Sequence, residues 1–263
     1  MYLEPVQYGL GALSGGLVGF TLGLFGGGGS ILAVPLMVYV VGVPNPHLAI
    51  GTSAFAVAAN AFANLLGHAR FGNVKWRCAG VYSLAGVVGA FVGSSAGKMV
   101  DGQHLLVFFA LLMLVVGALM FRGRGAEGDP GVQCSRENAP KVATFGILTG
   151  IFSGFFGIGG GFLIVPGLIA ATGMPVLFAI GSSLVAVTAF GLTTALNYAF
   201  SGLVDWVLAA VFIGGGVVGG LIGATAARKL AARKGALNTL FALLIFIVAG
   251  YMLFKGYTQL SAT

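Results

Sequence analysis

Two short stretches hold the residues best suited to gripping a ligand. In "GLFGGGGSILAVP", residues 23–35, Gly26, Gly27, Gly28 and Gly29 stand together ahead of Ser30. In "GFFGIGGGFLIVP", residues 154–166, Gly157, Gly159, Gly160 and Gly161 repeat the cluster. Each internal glycine weakens a helix by about 1 kcal/mol relative to alanine, so both clusters should break the apolar helix that carries them. Backbone amides freed at a break, added to the positive end of the helix dipole, make an uncharged cradle for an anion. Ser30 adds a hydroxyl in the first copy only. A second paired motif follows, with Thr52 and Ser53 in "GTS" and Ser182 and Ser183 in "GSS", each near the start of an apolar helix. Hydroxyls are cheap in a membrane because they bond back to their own helix, but their duplication beside the breaks favours ligand contact. Asn60 and Asn64, four apart on one helix face, and the unmatched Asn197 are costlier to bury and read as pathway residues. Spaced glycines such as Gly86, Gly89 and Gly93, or Gly216, Gly219 and Gly223, read instead as helix-packing positions.

The elements that must position these groups are membrane helices. The chain is 58% hydrophobic and 7% charged, with a mean hydropathy of +1.02, against about 25% charged residues in an ordinary soluble domain. Apolar stretches long enough for about 30 Å of hydrocarbon recur along the chain and leave no room for a soluble domain. Residues 105–121 are apolar on every side, which suits a helix and not an alternating barrel strand. The net charge of +7 comes from Lys and Arg in short connections and helix ends, so it speaks for loop orientation in a bilayer and not for nucleic acid. The first residues carry Glu4 and no basic leader, so the first apolar segment reads as retained. Cys78 and Cys134 form no CxxC pair and suggest neither a disulfide framework nor metal or redox chemistry; no cofactor and no metal is expected.

Sliding the sequence against itself by about 130 residues aligns "FGGGGSILAVP" with "FGIGGGFLIVP", "AIGTSAFAV" with "AIGSSLVAV", "GNVKW" with "GLVDW" and "AGVVGAFVG" with "GGVVGGLIG". This order implies two structural halves, about residues 8–122 and 141–255, within a first membrane repeat at 1–122, a linker at 123–140 and a second repeat at 141–263. The first half reads as a segment at 8–25, the glycine break, a segment at 30–43, and helices at 47–67, 77–97 and 104–121. One straight helix over residues 8–43 would be roughly 54 Å long, so a fold-back at the glycines is expected. Basic residues give the orientation. Arg70, Lys75 and Arg77 lie in the connection at 68–77, while the equivalent second-half loop has only Asp205. The next connection balances Lys98 against Asp101, while its equivalent holds Arg228, Lys229, Arg233 and Lys234. Under the positive-inside rule, equivalent loops face opposite sides. The expected fold is therefore all-α integral membrane: two inverted-topology repeats, each a glycine-broken pair, re-entrant or discontinuous, plus three transmembrane helices. The linker and the basic loops 68–77 and 228–236 face the cytoplasm, and both termini lie outside.

The same motifs, extended through "AIGTSAFAVAANAFANLLGHARFGNVKW" and "AIGSSLVAVTAFGLTTALNYAFSGLVDW", resemble the sulfite exporter TauE/SafE family of membrane permeases across both halves. The resemblance implies export of sulfite or small organosulfonates across the inner membrane, with some members handling other sulfur-containing or carboxylate anions. Many relatives are drawn with eight spanning helices, from which a hairpin count of three crossings per half departs.

Inverted repeats with interrupted helices at matching positions describe secondary transporters, with substrate at the midplane. The partners expected are a small anion and the bilayer; oligomeric state, a homo-oligomer included, stays open. A passive anion channel is the rival reading. An intramembrane hydrolase is weaker: Ser153 looks like a buried nucleophile, but His47, His68 and His104 lie at helix ends in the other half and Asp101 and Asp205 in loops. With no Asp or Glu inside a spanning segment, the anion's own charge is the expected drive for export.

Overall fold

Local signals set where the helices start. The computed structural model describes residues 4–122, 128–129, 131, 134, 137–157, 161–231 and 236–260. Their order is α1 (Pro5–Phe25), a 3₁₀ segment (Gly26–Leu32), α2 (Ala33–Tyr39), α3 (Pro46–Arg70), α4 (Trp76–Gly97) and α5 (Gly102–Arg122), followed by α6 (Ala139–Phe156), α7 (Gly161–Thr172), α8 (Val176–Ala199), α9 (Trp206–Ala231) and α10 (Ala236–Leu260). Asn45 Oδ1 accepts the His47 amide at 2.9 Å, and Pro46 fills the position where a helix needs no amide. Asp101 Oδ1 accepts the Gln103 and His104 amides, and these bonds hold its carboxyl below the usual carboxylate range. The chain is thus an all-helical membrane protein. Among the described residues, seven segments are long and apolar enough to cross a bilayer, with the whole of residues 5–39 counting as one.

That first segment folds back on itself. Gln7 Nε2, in the first turn of α1, donates to the Val41 carbonyl just past α2 at 3.0 Å, so the start of α1 and the end of α2 share one end of the bundle. In the second half α6 and α7 likewise pack on each other across the equivalent break, and the Asp129 amide donates to the Gly173 carbonyl that follows α7. In both broken pairs the chain turns back at the glycines. The segment expected at 30–43 divides: residues 26–32 wind as a 3₁₀ segment, α2 covers only seven residues, Ala33–Tyr39, and Gly42 takes φ +80° just beyond it. All six left-handed glycines among the described residues fall into equivalent pairs, Gly26 with Gly157, Gly42 with Gly173 and Gly72 with Gly202.

Cross-bonds define two ends of the bundle. The Lys75 amide, past α3, donates to Ser182 Oγ at the start of α8, while the Asp205 amide, past α8, donates to Thr52 Oγ1 at the start of α3, each at 2.9 Å. Helices α3 and α8 therefore run antiparallel. One end carries Arg70, residues 128–129 and residues 173–175; the other carries residues 40–47, 98–104 and 200–205, where His47 Nε2 lies 3.1 Å from the Val100 carbonyl.

Two seams join the halves, α1 against α9 and α6 against α4. In the first, Gly15, Gly19 and Gly23 face the carbonyls of Phe212, Gly216 and Gly220, and Gly219 and Gly223 face those of Gly16 and Phe20. In the second, Gly146, Gly150 and Gly154 face the carbonyls of Tyr82, Gly86 and Ala90, and Gly89 and Gly93 face those of Ile147 and Ile151. Helix association in lipid depends on close backbone approach, and a glycine stripe allows it. Tyr82 OH and Thr149 Oγ1, 2.7 Å apart, add a buried hydrogen bond to the second seam.

The cysteines overturn an expectation. Cys78, in the first turns of α4, forms a disulfide with Cys134 of the linker, 56 residues away, with Cα atoms 5.3 Å apart. Neither spacing nor a motif announces the pair, because only the tertiary structure brings Cys134 against α4.

The seams lead to a direct test. A methyl at Gly219 would meet the Gly16 carbonyl, whereas one at Gly214, on the same helix, meets nothing within 4 Å. Gly219→Ala should destabilise the protein by about 1–3 kcal/mol and lower its Tm in detergent. Gly214→Ala should leave Tm unchanged or raise it through better helix propensity.

Candidate functional site

The first glycine break is sealed by side chains from the opposite half. Gly26 takes φ +60°, which only glycine adopts cheaply, and lies against the Ile180 carbonyl and Ser183 Oγ of α8. The next amide, Gly27, donates to Ser183 Oγ at 2.9 Å, and that hydroxyl donates onward to the Ile180 carbonyl at 2.7 Å. Ser30 Oγ donates to the Gly27 carbonyl at 2.9 Å. Residues 26–31 are all buried, and a side chain at Gly28 would strike the Phe241 ring of α10, while one at Gly29 would strike the backbone of Thr21 and Leu22. The segment also packs on α7, so the two broken pairs touch.

Thr21 completes the break and carries no signal in the repeat. Its Oγ1 lies 2.9 Å from the Gly29 carbonyl and 3.0 Å from those of Leu17 and Val18, so one hydroxyl serves a carbonyl freed by the irregular turn. Its clue in the sequence is a hydroxyl one turn before a glycine run.

In the second break, Gly157 takes φ +66° and its amide donates to the Gly154 carbonyl at 3.1 Å. A methyl there would collide with Ile50 of α3. Gly159 and Gly160 lie outside the described residues, and Gly161 opens α7.

The paired hydroxyl motifs divide their work. Adjacent helical residues point about 100° apart, so the two hydroxyls of each pair meet different neighbours. Thr52 and Ser182 hold the amides of Asp205 and Lys75 in the opposite half's exit loops. Gly51 and Gly181 let those loops sit against the helices, facing the Leu203 and Asn73 carbonyls. Ser183 holds Gly27, while Ser53 Oγ donates to Ile50 O at 3.1 Å, matching the bond from Ser183 to Ile180.

The asparagines lie elsewhere. Asn60 is fully buried, and neither of its amide atoms has a hydrogen-bond partner among the described residues. Its side chain faces Gly216 of α9. One turn on, Asn64 Nδ2 donates to the Asn60 carbonyl at 2.9 Å and faces Gly23 and Gly220. His68 is buried as well, its Nε2 3.2 Å from the Gly23 carbonyl. Asn197 lies at the far end of α8 from Ser183, and its Nδ2 donates to Ser94 Oγ at 2.7 Å and Ser95 Oγ at 3.0 Å. Lys98 Nζ donates to Asn197 Oδ1 at 2.8 Å and to Ser201 Oγ at 3.0 Å, and it pairs with no carboxylate among the described residues. The structure therefore joins Ser183 to the first glycine cluster and leaves Asn197 in a separate polar network. Ser153 Oγ is buried with no partner among the described residues, and no histidine bonds to it.

Comparison with known proteins gives a consistent pattern. The family model described as "Sulfite exporter TauE/SafE" matches residues 11–252. A "Probable membrane transporter protein" of Xylella fastidiosa (strain 9a5c) is 56% identical over 250 residues, covering 95% of this chain and 96% of the relative. One from Haemophilus influenzae is 28% identical over 262 residues, covering 92% and 97%. The "Probable membrane transporter protein YunE" of Bacillus subtilis is 22% identical over 263 residues, covering 92% and 96%.

The division of hydroxyls can be tested by stability alone. Thr52→Val and Ser182→Ala each strip a cross-half amide of its acceptor and should cost about 1–3 kcal/mol, seen as a lower Tm. Ser53→Ala removes a bond within one helix and should shift Tm far less. Equal shifts for all three variants would contradict the assignment.

Proposed function

The chain belongs to the sulfite exporter TauE/SafE family, and from that premise we propose that it exports a small sulfur-containing oxyanion, sulfite or an organosulfonate, by alternating access. The observation that carries the reading is the bond from the Gly27 amide to Ser183 Oγ. It puts a neutral donor and a hydroxyl from opposite halves at a buried helix break. An oxyanion entering there would replace the hydroxyl as acceptor for the amide while accepting a hydrogen bond from Ser183 Oγ, so binding exchanges one satisfied network for another. A cradle of neutral groups holds an anion without a counter-charge that would trap it.

Alternating access follows from the architecture in this reading. The two halves are inverted copies, each offering a re-entrant hairpin whose outer arm packs on the other half. Rocking one half against the other would part the bonds across the break without unfolding either hairpin. Substrate contacts fall to the amides and hydroxyls of residues 26–30 and to Ser183, with Ser53 and the second glycine cluster in equivalent positions. Thr52 and Ser182 act through the exit loops they hold.

Charge gives the orientation. Arg70, Lys75 and Arg77 put their end of the bundle in the cytoplasm under the positive-inside rule. The Cys78–Cys134 pair lies at that same end, where a reducing cytosol would keep it as a dithiol. An impermeant thiol reagent should therefore label neither cysteine in intact cells, but should reach Cys134, 7% exposed against 1% for Cys78, in inverted vesicles from reducing cells. Labelling in intact cells after reduction of the exterior would reverse the orientation.

The transport claim is tested in proteoliposomes. Sulfite and sulfoacetate should show counterflow, which a simple pore does not accelerate, and Ser183→Ala should raise KM. No Asp or Glu lies in a described helix. An anion leaving a compartment that is negative inside gains about 2.3 kcal/mol per charge per 100 mV. With equal pH on both sides, flux should follow the imposed potential. Flux that ignores potential and follows a proton gradient would reject this drive and direct attention to His47, His68 and His104.

A further inference from the structure

A cavity of about 220 Å³ opens between α3 and α9 at the Arg70 end of the bundle. Asn64, Gly67 and Arg70 line it from α3, and Gly220 and Ala224 from α9. Arg70 is exposed at its mouth, while Asn64, only 5% exposed, forms part of the wall. One turn deeper on the same face stands Asn60, fully buried with its amide unpartnered among the described residues. An unpaired buried amide costs about 1–3 kcal/mol, and inside a membrane protein such groups mark a ligand route.

The equivalent place in the other half is filled. The repeat offset of 130 carries Gly67 onto Asn197 and Ala224 onto Ser94. Asn197 and Ser94 bond across the interface between α8 and α4 at 2.7 Å, and Lys98 Nζ clamps Asn197 from the membrane end. The same packing geometry is thus open at the Arg70 end and closed at the Lys98 end. Two small residues in place of an amide and a hydroxyl account for the difference.

We infer that the α3–α9 cavity is an entry site for a small oxyanion, with Arg70 supplying charge, Asn64 an amide donor, and Asn60 the next polar station inward. This rests on the transporter reading and adds a site apart from the glycine breaks. The volume is several times the roughly 30 Å³ that a water molecule occupies in the liquid, enough for a sulfonate with part of its hydration shell. Arg70 has no carboxylate partner among the described residues, so its charge is available to an incoming anion. The Lys98–Asn197 network is the closed counterpart at the opposite end.

The test uses Gly67→Cys in a Cys78→Ser, Cys134→Ser background, since a side chain at Gly67 meets nothing within 4 Å and the new thiol is then the one that reacts. In nanodiscs of zwitterionic lipid, sulfoacetate at ten times its dissociation constant should slow modification of this thiol by a charged methanethiosulfonate about tenfold. Arg70→Gln in the same background should abolish the protection. Grafting the filled geometry with Gly67→Asn and Ala224→Ser should cut sulfoacetate flux while the variant keeps the wild-type Tm. Modification that sulfoacetate leaves unchanged overturns the site, as does protection that appears only when phosphatidylglycerol is added, which would assign the cavity to a lipid headgroup. Protection without any flux would uphold the site and sink the transporter reading; flux without protection would do the reverse.

Discussion

The rest of the molecule depends on backbone meeting backbone along two glycine seams. Lipid tails are as apolar as the side chains they would replace, so no hydrophobic gain holds membrane helices together, and contact must come from close packing. Along α1 with α9 and α6 with α4, glycines on both sides bring helix carbonyls within reach of the neighbouring Cα atoms. Each seam couples the outer arm of one half's hairpin to the other half's helix. The halves consequently interlock instead of lying side by side, and each broken helix ends against a helix of the opposite half.

That interlock solves the problem the breaks create. A membrane interior supplies no water to satisfy the groups freed at an irregular turn, so each must find a protein partner. Ser183 takes the Gly27 amide, Ser30 the Gly27 carbonyl and Thr21 the Gly29 carbonyl. The glycines themselves serve as much for approach as for flexibility, since α8, the Phe241 ring and α1's own backbone press against three of them. A break satisfied by hydroxyls is one whose partners an oxyanion can replace, which connects the packing to the transport reading.

The two halves are not equal in their polar content. Asn60 and Asn64 lie on α3 where α8 has Phe190 and Thr194, and Asn197 and Ser94 bond across an interface where the other half has Gly67 and Ala224. A two-fold repeat built of identical copies would present the same surface at both ends. Divergence at these few positions gives the ends different character within one architecture.

Much of this was legible in the sequence because it follows from local or additive properties. Composition sums over residues, so the membrane class needed no structure. The repeat, the positions of both breaks and the packing glycines of α4 and α9 are patterns along the chain, and the left-handed glycines recur at the repeat spacing because the same turns need the same backbone. The fold-back followed from length alone. Only the tertiary structure decided which groups meet. Thr52 and Ser53 are neighbours in sequence, yet one reaches across to a loop and the other bonds within its own helix, because helical neighbours point about 100° apart. Asn197 joined Lys98 and Ser94 and not the glycine cluster, and Cys78 met Cys134 over 56 residues. Such pairings depend on how helices distant in the chain dock, and docking is fixed by the seams between the halves and by no pattern within either one.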